Sequence, residues 1–286
     1  MNIFAMVTTR HSNAYTNYAL LSFIEHTKLQ GNDEVILIDN DSSYTGLPAE
    51  CSDRVKLTIN ETPRSFAANL NQILDLARKS QASVIFLNND LIFSHGWLEP
   101  LQAEGPFLLS PVSNAEVPYA EGDFQCKLGM DLQDYIGKEH LFREIVRRHR
   151  NRAQGYMKML TYPFFAVKIP YSVYSVVGGL DETFGVGGGE DKDYTIRCYL
   201  AGFELRFALK SYILHFQGKS TWRGAETREQ TAARDLKANQ RFQEKWGNAL
   251  FDVMVMNDLS KLTPDLQQAY KGGDFKRLIE RLRPFT

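Results

Sequence analysis

The N-terminal half of the chain alternates short apolar runs with segments of helical spacing. The runs are rich in Val, Ile, Leu and Phe, as expected for buried strands. They occupy residues 2–9, 34–38, 55–59 and 83–87. Helices are predicted between them, from Asn13 to about Lys28 and from Thr62 to about Lys79. Strands that alternate with helices predict right-handed βαβ units, and therefore an α/β fold with a mostly parallel central sheet.

Polar residues cluster directly after three of these strands, at residues 8–10, 39–43 and 88–90. Because ligands of parallel sheets bind at the carboxyl ends of the strands, the three clusters are expected to face one crevice suited to a nucleotide. No GxGxxG follows the first strand, and no GxxxxGK[ST] is present. An ordinary dinucleotide-binding domain and a P-loop are therefore disfavoured.

The second half contains a glycine-rich loop between residues 185 and 189. Glu190 and Asp191 follow it at the predicted start of a helix, where the helix dipole favours ionised carboxylates. His215 lies near the end of the second of two strands predicted at residues 204–208 and 212–216. This combination suggests an active site, although Asp191 alone could be only a helix cap and His215 alone a packed histidine.

This stretch resembles glycosyltransferase family 2, the inverting enzymes of GT-A fold. Family members carry the pattern GG(F/L)DE.F....ED.D...R....G, followed by a strand and a histidine element. The matching residues are Gly178, Gly179, Leu180, Asp181, Glu182, Phe184, Glu190, Asp191, Asp193, Arg197, Gly202, His215 and Gly218. Upstream, ILIDNDSS, NETPRSFAANLNQIL and VIFLNNDLIFSHGWLEPL resemble further family elements, so the similarity runs from about residue 3 to residue 248.

The resemblance implies a Rossmann-like, mostly parallel sheet flanked by helices in a catalytic domain over residues 1–250. Its nucleotide-binding half is expected at 1–112, its acceptor and catalytic half at 113–250, and a small helical extension at 251–286. The implied reaction is transfer of a sugar from a UDP-, dTDP- or GDP-sugar to an acceptor hydroxyl with inversion, in glycan or polysaccharide biosynthesis.

Roles for single residues follow from the same resemblance. Asp191, the second acid of the Glu-Asp pair, corresponds to the catalytic base, and Glu190 is expected to orient the acceptor. Asp39 corresponds to the residue that contacts the nucleobase, Lys219 is a candidate diphosphate contact, and Trp222 is a candidate sugar platform with ordinary packing as the alternative. The residues expected to bind the donor are Thr8, Arg10, Asp39, Asn71, Asn88, Asn89, Asp90, Lys219 and Trp222.

The chain departs from the family at the metal motif, where Asn88, Asn89 and Asp90 replace the common Asp-x-Asp. An Asn-x-Asp form occurs in the rhamnosyltransferase-like branch of the family. We expect Asp90 and His215 to hold a divalent metal, and mixed nitrogen and oxygen ligands suit Mn²⁺ better than Mg²⁺. The alternative is that Asp90 only hydrogen-bonds the hydroxyls of the sugar.

Composition restricts the class of protein further. The 33 Lys and Arg against 34 Asp and Glu give a net charge of -1, so no overall field attracts nucleic acid. The 3 cysteines lack CxxC spacing and indicate reduced thiols. No stretch reaches the roughly 18 apolar residues of a membrane span. We expect a cytoplasmic protein, with peripheral association at the inner membrane as a further option.

A basic run lies in a helix predicted from Asp131 to about Ala153, at Arg143, Arg147, Arg148, His149, Arg150 and Arg152. It is either a solvated helix face or an acceptor site for an anionic glycan, a lipid phosphate or nucleic acid. The predicted acceptor is a glycan, lipid-linked molecule or protein. Two alternatives are a catalytically degenerate nucleotide-sugar-binding protein and a glycosyltransferase that acts on modified nucleic acid, which the net charge disfavours.

Overall fold

A mixed sheet of nine strands organises the part of the chain that the computed structural model describes, residues 1–9, 11–114, 131–161, 164–219 and 226–284. The strands are β1 (Asn2–Thr8), β2 (Glu34–Asp39), β3 (Val55–Ile59), β4 (Ser83–Leu87), β5 (Leu91–Ile92), β6 (Phe107–Ser113), β7 (Tyr156–Lys158), β8 (Ala166–Ile169) and β9 (Glu204–His215). The helices are α1 (Asn13–His26), α2 (Phe66–Ser80), α3 (Leu132–Tyr135), α4 (Glu139–Arg152), α5 (Tyr171–Val177), α6 (Glu190–Leu200), α7 (Arg228–Met254), α8 (Pro264–Lys271) and α9 (Phe275–Leu282). The sheet order is β3-β2-β1-β4-β8-β6-β9-β5, and β7 also pairs with β9.

The N-terminal half of the sheet is parallel, as predicted: β3, β2, β1 and β4 all run in one direction. Thr8 at the end of β1 pairs with Asp39 at the end of β2. The Asn40 N–H then donates to the Thr8 carbonyl at 3.0 Å. The polar clusters after these strands therefore lie side by side at one edge.

The other half of the sheet is mixed: β6 and β9 are parallel to each other, and the predicted parallel arrangement is interrupted by β8 and by the short strands β5 and β7. β8 is antiparallel to both β4 and β6, and β5 and β7 are antiparallel to β9. Apolar runs show that a segment is a strand but carry no information on its direction. The predicted pair at 204–208 and 212–216 is one strand, β9, with an irregularity opposite Pro111 and Val112.

Three helix boundaries differ from the prediction. α2 begins at Phe66, because the Ser65 hydroxyl accepts the Ala68 N–H at 3.1 Å and caps the helix there. The helix expected over 131–153 is divided into α3 and α4 at Gly137, whose φ of 83° suits glycine. α7 continues past Trp246 to Met254, with a non-helical Gly247 at the bend.

The C-terminal helices are packed into the core beside α6. Phe275 of α9 lies 5.7 Å from Tyr199 of α6, ring centre to ring centre, and Leu278 and Ile279 are fully buried. Residue 250, where the extension was expected to begin, lies within α7.

Two further expectations concern the environment of the protein. None of the helices in the described ranges combines the length and apolarity that a membrane crossing requires. Cys51 and Cys198 are buried free thiols, while Cys126 lies outside the described residues.

Candidate active site

A cavity of about 570 Å³ opens at the carboxyl ends of β1 and β2. This volume lies in the range of small-molecule sites. It is lined by Thr9, His11, Asn40, Asp41, Pro63, Arg64, Ser65, Glu182, Gly185 and Val186. Segments that are more than a hundred residues apart in the chain thus meet here, because the Phe66 N–H donates to the Val186 carbonyl at 3.1 Å and ties the glycine loop to α2.

Three buried asparagines hold one wall of this cavity. The Asn60 side-chain amide donates to Asn40 Oδ1 at 2.8 Å and to Asn69 Oδ1 at 2.9 Å. Asn40 also accepts the Arg64 N–H at 2.9 Å, which fixes the loop before α2 against the end of β2. Sequence reasoning missed this network, and its only signal was the presence of an asparagine after each of two neighbouring strands.

Asp39 is buried below the cavity and shapes the loop that follows it. Its carboxylate accepts the N–H groups of Asp41, Ser43 and Tyr44 at 3.3, 3.2 and 3.0 Å. Thr8 is also buried, with its hydroxyl 2.7 Å from the Thr16 hydroxyl. The side chains of Asp39 and Thr8 thus support the cavity from beneath. Arg10, also predicted to bind the donor, lies outside the described residues.

Asn71 lies away from the strand ends, where it joins α2 to the segment before the glycine loop. Its amide donates to the Leu180 carbonyl at 3.0 Å and to Glu182 Oε1 at 2.7 Å, and it accepts the Leu180 N–H at 2.7 Å. It lines a neighbouring cavity of about 800 Å³ that also contains Arg64 and Glu182. Asn71 therefore positions a residue that lines the first cavity, Glu182.

Asp90 and His215, the two expected metal ligands, face each other. β5 pairs with β9, with Leu91 opposite His215. Asp90 Oδ1 lies 3.3 Å from His215 Nε2. Asp90 is fully buried, and this oxygen accepts no hydrogen bond from the described residues, whereas its Oδ2 accepts the Lys219 N–H at 3.0 Å.

His215 is held through its ring and through its backbone. Phe165 stacks on it with ring centres 5.1 Å apart, and the Asn114 side chain accepts the His215 N–H at 2.7 Å. A buried carboxylate oxygen beside an imidazole nitrogen matches the donor set of Mn²⁺. No third His, Cys, Asp or Glu joins them in the described part of the chain, so the remaining ligands would come from the donor and solvent.

The two asparagines before Asp90 have different environments. The Asn89 amide is buried and donates to the hydroxyls of Ser12 and Thr16 at 2.8 and 2.7 Å, so it anchors the motif to α1. Asn88 is partly exposed, and its backbone N–H donates to the Phe165 carbonyl at 2.7 Å. Lys219 is exposed next to this motif, and Trp222 lies outside the described residues.

Glu190 and Asp191 form the first turn of α6, directly after the glycine loop. Glu190 is 6% exposed, and its carboxylate accepts the Gly188 N–H. Burial, and then the neighbouring Asp191 carboxylate, raise the pKa of Glu190 above its ordinary value. The Asp191 side chain is 15% exposed, so the two acids have separate environments, which suits separate roles.

A third acid on the same helix, Asp193, is fully buried and holds α6 against α7. Its carboxylate accepts from Arg197 at 2.9 Å, Lys245 at 2.6 Å and the Trp246 indole at 2.9 Å. Lys245 also contacts Asp181 at 2.6 Å. The chain therefore fixes the helix that carries Glu190 and Asp191 through a buried ion-pair network.

Phe164 and Phe165 connect the two groups of polar residues. Phe165 stacks on His215, and Phe164 packs on Tyr194 of α6 with ring centres 5.9 Å apart. Tyr194 lies one helical turn after Glu190. The Asp90–His215 pair and the Glu190–Asp191 turn are thus separated by two adjacent aromatic side chains.

Comparison with known proteins finds a family over part of the chain. The sequence model of glycosyl transferase family 2 matches residues 5–104, which include Asp39 and Asp90. This segment is therefore similar in sequence to glycosyl transferase family 2. No curated protein sequence matches the chain.

Solved structures show that the chain has the GT-A fold. A structure of GalNAc-T7 with UDP, GalNAc and Mn²⁺ aligns with a TM-score of 0.61 at 16% identity, covering 99% of this chain and 56% of that chain. The chain thus spans about half the length of that relative. The mannosyltransferase PcManGT from Pyrobaculum calidifontis, in complex with GDP-Man and Mn²⁺, aligns with a TM-score of 0.50 at 12% identity, covering 98% and 86% of the two chains.

Proposed function

We propose that the protein transfers a sugar from a nucleoside diphosphate sugar to an acceptor hydroxyl with inversion. The observation that carries this proposal is the buried Asp90–His215 pair beside the strand ends, with Asp90 Oδ1 directed at His215 Nε2 at 3.3 Å. The two structural neighbours were solved with Mn²⁺ and with UDP or GDP-Man. These ligands support a nucleotide sugar and a divalent metal, but the nucleobase differs between the two neighbours.

The donor is proposed to occupy the cavity at the ends of β1 and β2. Asp39 supports the loop that presents Asp41, and the asparagine network presents Arg64. Arg64 and Lys219 would supply positive charge toward the diphosphate, and His11 lines the same cavity as Arg64. Arg10 and Trp222 remain predictions from the sequence for the same donor.

Asp90 and His215 would hold the metal, with Mn²⁺ favoured by the mixed oxygen and nitrogen ligands. When bound, the cation neutralises negative charge on the departing diphosphate. The Lys219 N–H holds the second oxygen of Asp90, Phe165 stacks on the imidazole, and Asn114 holds the backbone of His215. These contacts would keep both ligands oriented before the donor arrives.

Asp191 is proposed as the base. The acceptor oxygen forms a bond to the anomeric carbon, the bond from that carbon to the diphosphate oxygen breaks, and the hydroxyl proton passes to the Asp191 carboxylate. The raised pKa of Glu190 favours its protonated form, so Glu190 can donate a hydrogen bond to the acceptor. The glycine loop allows this turn of α6 to close over the substrates.

We further propose that the reaction serves glycan or polysaccharide biosynthesis in the cytoplasm or at the inner membrane surface, with a glycan, a lipid-linked molecule or a protein as acceptor. The family resemblance supports this context, and the Asn88-Asn89-Asp90 motif supports the rhamnosyltransferase-like branch.

The test begins with a screen of UDP-, dTDP- and GDP-sugars by thermal shift with and without Mn²⁺, because a true donor must stabilise the folded protein. With the donor identified, Asp191→Asn is expected to keep donor affinity within about threefold and to lose roughly 10²–10⁴-fold in turnover. Near-normal transfer by this variant would remove Asp191 from the role of base. Donor binding without transfer or hydrolysis by the unchanged protein would instead favour a binding protein that has lost catalysis.

A further inference from the structure

A separate cavity of about 330 Å³ lies between α1, the segment after β5, and α4. Phe93, Phe142 and Val146 form an apolar wall, and Tyr135 lies beside Phe142 with ring centres 6.2 Å apart. Arg143 and Arg147 stand one helical turn apart on the α4 side. The cavity therefore combines an apolar surface with guanidinium groups, which is the composition of a small-molecule site.

The positive charge of this cavity is incompletely compensated. Arg143 and Arg147 form no ion pair with any residue of the described ranges. Arg150, in contrast, donates to the Gly96 carbonyl and contacts Glu99 at 3.3 Å. Within the described ranges, the guanidinium groups of Arg143 and Arg147 thus keep hydrogen-bond donors available at the cavity.

Two histidines, His26 and His95, face the same space. Burial lowers the pKa of His26, Glu25 opposes this shift, and His95 and Arg143 add to it. Two carboxylates also line the cavity: Glu25 lies 3.8 Å from His26, and Glu139 accepts the Gly137 N–H at 3.0 Å. Both acids thus have local partners, and the crowded cations would be stabilised by an added anion.

The cavity lies next to the candidate active site. Tyr135 packs on Phe216 with ring centres 6.1 Å apart, and Phe216 directly follows His215. On the other side, Phe93 is three residues after Asp90, so their Cα atoms are at most about 11 Å apart. A molecule of a few sugar rings would reach from the cavity to the reacting centre.

We propose that this cavity binds an anionic oxyacid group, a phosphate or a carboxylate, carried by the acceptor. The inference rests on the proposed glycosyl transfer and names the acceptor class. The ligand is a small molecule or a terminal group, because Arg143 and Arg147 line a cavity that has an apolar wall. A lipid surface or a nucleic acid would also engage the part of α4 outside the cavity, where Arg148 pairs with Glu144 at 3.2 Å.

The first experiment is calorimetry of the full chain with phenyl phosphate, a flat apolar ring bearing a dianion, and with benzyl alcohol as the neutral control. Phenyl phosphate is expected to bind and benzyl alcohol to bind much more weakly. Arg143→Gln and Arg147→Gln should each weaken phenyl phosphate binding roughly tenfold or more, since each removes charge-assisted hydrogen bonds. Arg148→Gln, on the same helix but outside the cavity, should change it less than twofold.

Three results would overturn the proposal: no binding of phenyl phosphate, equal binding by the unchanged protein and the cavity variants, or an equal loss in Arg148→Gln. Binding to vesicles that contain anionic lipid, lost only in Arg148→Gln, would also overturn it in favour of a surface contact. Circular dichroism checks that the variants, whose changed side chains are exposed, remain folded.

The second experiment ties the cavity to the acceptor and keeps the two proposals separate. With the donor found in the screen, neutral saccharides are compared with their phosphorylated and carboxylated forms. The unchanged protein should prefer the anionic forms, and Arg143→Gln should raise KM for them roughly tenfold with kcat within about threefold. Asp191→Asn should bind phenyl phosphate as the unchanged protein does, so the anion site can be measured even if the proposed catalysis fails. A preference for neutral acceptors would refute the anion site without refuting the glycosyl transfer.

Discussion

Asp193 offers a direct test of how α6 is held in place. Its buried carboxylate accepts from Arg197 at 2.9 Å, Lys245 at 2.6 Å and the Trp246 indole at 2.9 Å. Asp193→Asn keeps the shape of the side chain but removes its charge. Two partly buried cations then lose their shared anion, and the new amide group directs donors toward donors.

Removing one partner of a buried ion pair costs about 3–5 kcal/mol. We expect the lower end of this range, because Lys245 keeps Asp181 at 2.6 Å and Arg197 keeps the Val177 and Gly179 carbonyls at 2.9 Å each. At about 2–4 °C per kcal/mol for a domain of this size, the midpoint of thermal unfolding should fall by roughly 6–12 °C. The measurement is calorimetric unfolding near pH 7.5.

The matched control is Asp191→Asn, two residues earlier on the same helix. The Asp191 carboxylate accepts the Lys192 N–H at 2.8 Å and lies 3.8 Å from the Lys192 ammonium. Removing its charge also relieves repulsion with Glu190, so the midpoint should stay within about 2 °C of the unchanged protein. An Asp193→Asn protein that unfolds at the unchanged temperature, or an Asp191→Asn protein that loses as much, would refute this account of the network.

Three further predictions concern the same site. Because the pKa of Glu190 is raised, the folded protein retains a proton that the unfolded chain releases near pH 4, so its free energy of unfolding falls as pH rises above that value. Glu190→Gln should abolish this dependence and be more stable than the unchanged protein at pH 8 in urea titrations. Parallel pH profiles of the free energy of unfolding for the two proteins would contradict the assignment. Gly189→Ala should lower the free energy of unfolding by about 1–3 kcal/mol in the same titrations, because Gly189 has φ of 95° and a Cβ there would lie 3.0 Å from the Phe184 ring. An unchanged midpoint would argue against a strained loop. Asn60→Ala should cost about 1–3 kcal/mol and weaken donor binding, since it removes the donor to the buried amide oxygen of Asn69 and one of the donors to Asn40 Oδ1. Intact donor affinity would separate the network from the nucleotide cavity.

Sequence reasoning predicted the strand ends well because a polar cluster after an apolar run is a local signal. It was less able to assign the direction of a side chain. Asn69 and Asn71 are two residues apart on α2, about 200° around the helix axis. Asn69 joins the buried asparagine network, whereas Asn71 contacts Leu180. The sequence did not predict these two directions, and it placed the start of α2 at Thr62 instead of Phe66.

The same limit applies to Asn89, placed among the donor-binding residues by its position in the metal motif. The chain bends at Asn89 and Asp90, between β4 and β5. Asn89 points to Ser12 and Thr16 of the α1 region, while Asp90 points to His215. The direction of β8 is likewise not a local property, because it is set by the pairing of β8 with β4 and β6, which are distant in the sequence. Motif spacing identifies the residues of a site, and packing decides which of them can meet a ligand.

The predicted donor-binding residues fall into two groups according to their hydrogen bonds. Thr8, Asp39, Asn71 and Asn89 bond to other parts of the protein and hold its shape. Asp90 differs, because its Oδ1 is buried without a hydrogen bond from the described residues while lying 3.3 Å from an imidazole nitrogen. Buried polar atoms are nearly always satisfied, so such an oxygen needs an explanation. A bound cation would satisfy it together with His215, which makes Asp90 the residue at which loss of metal binding should be sought first.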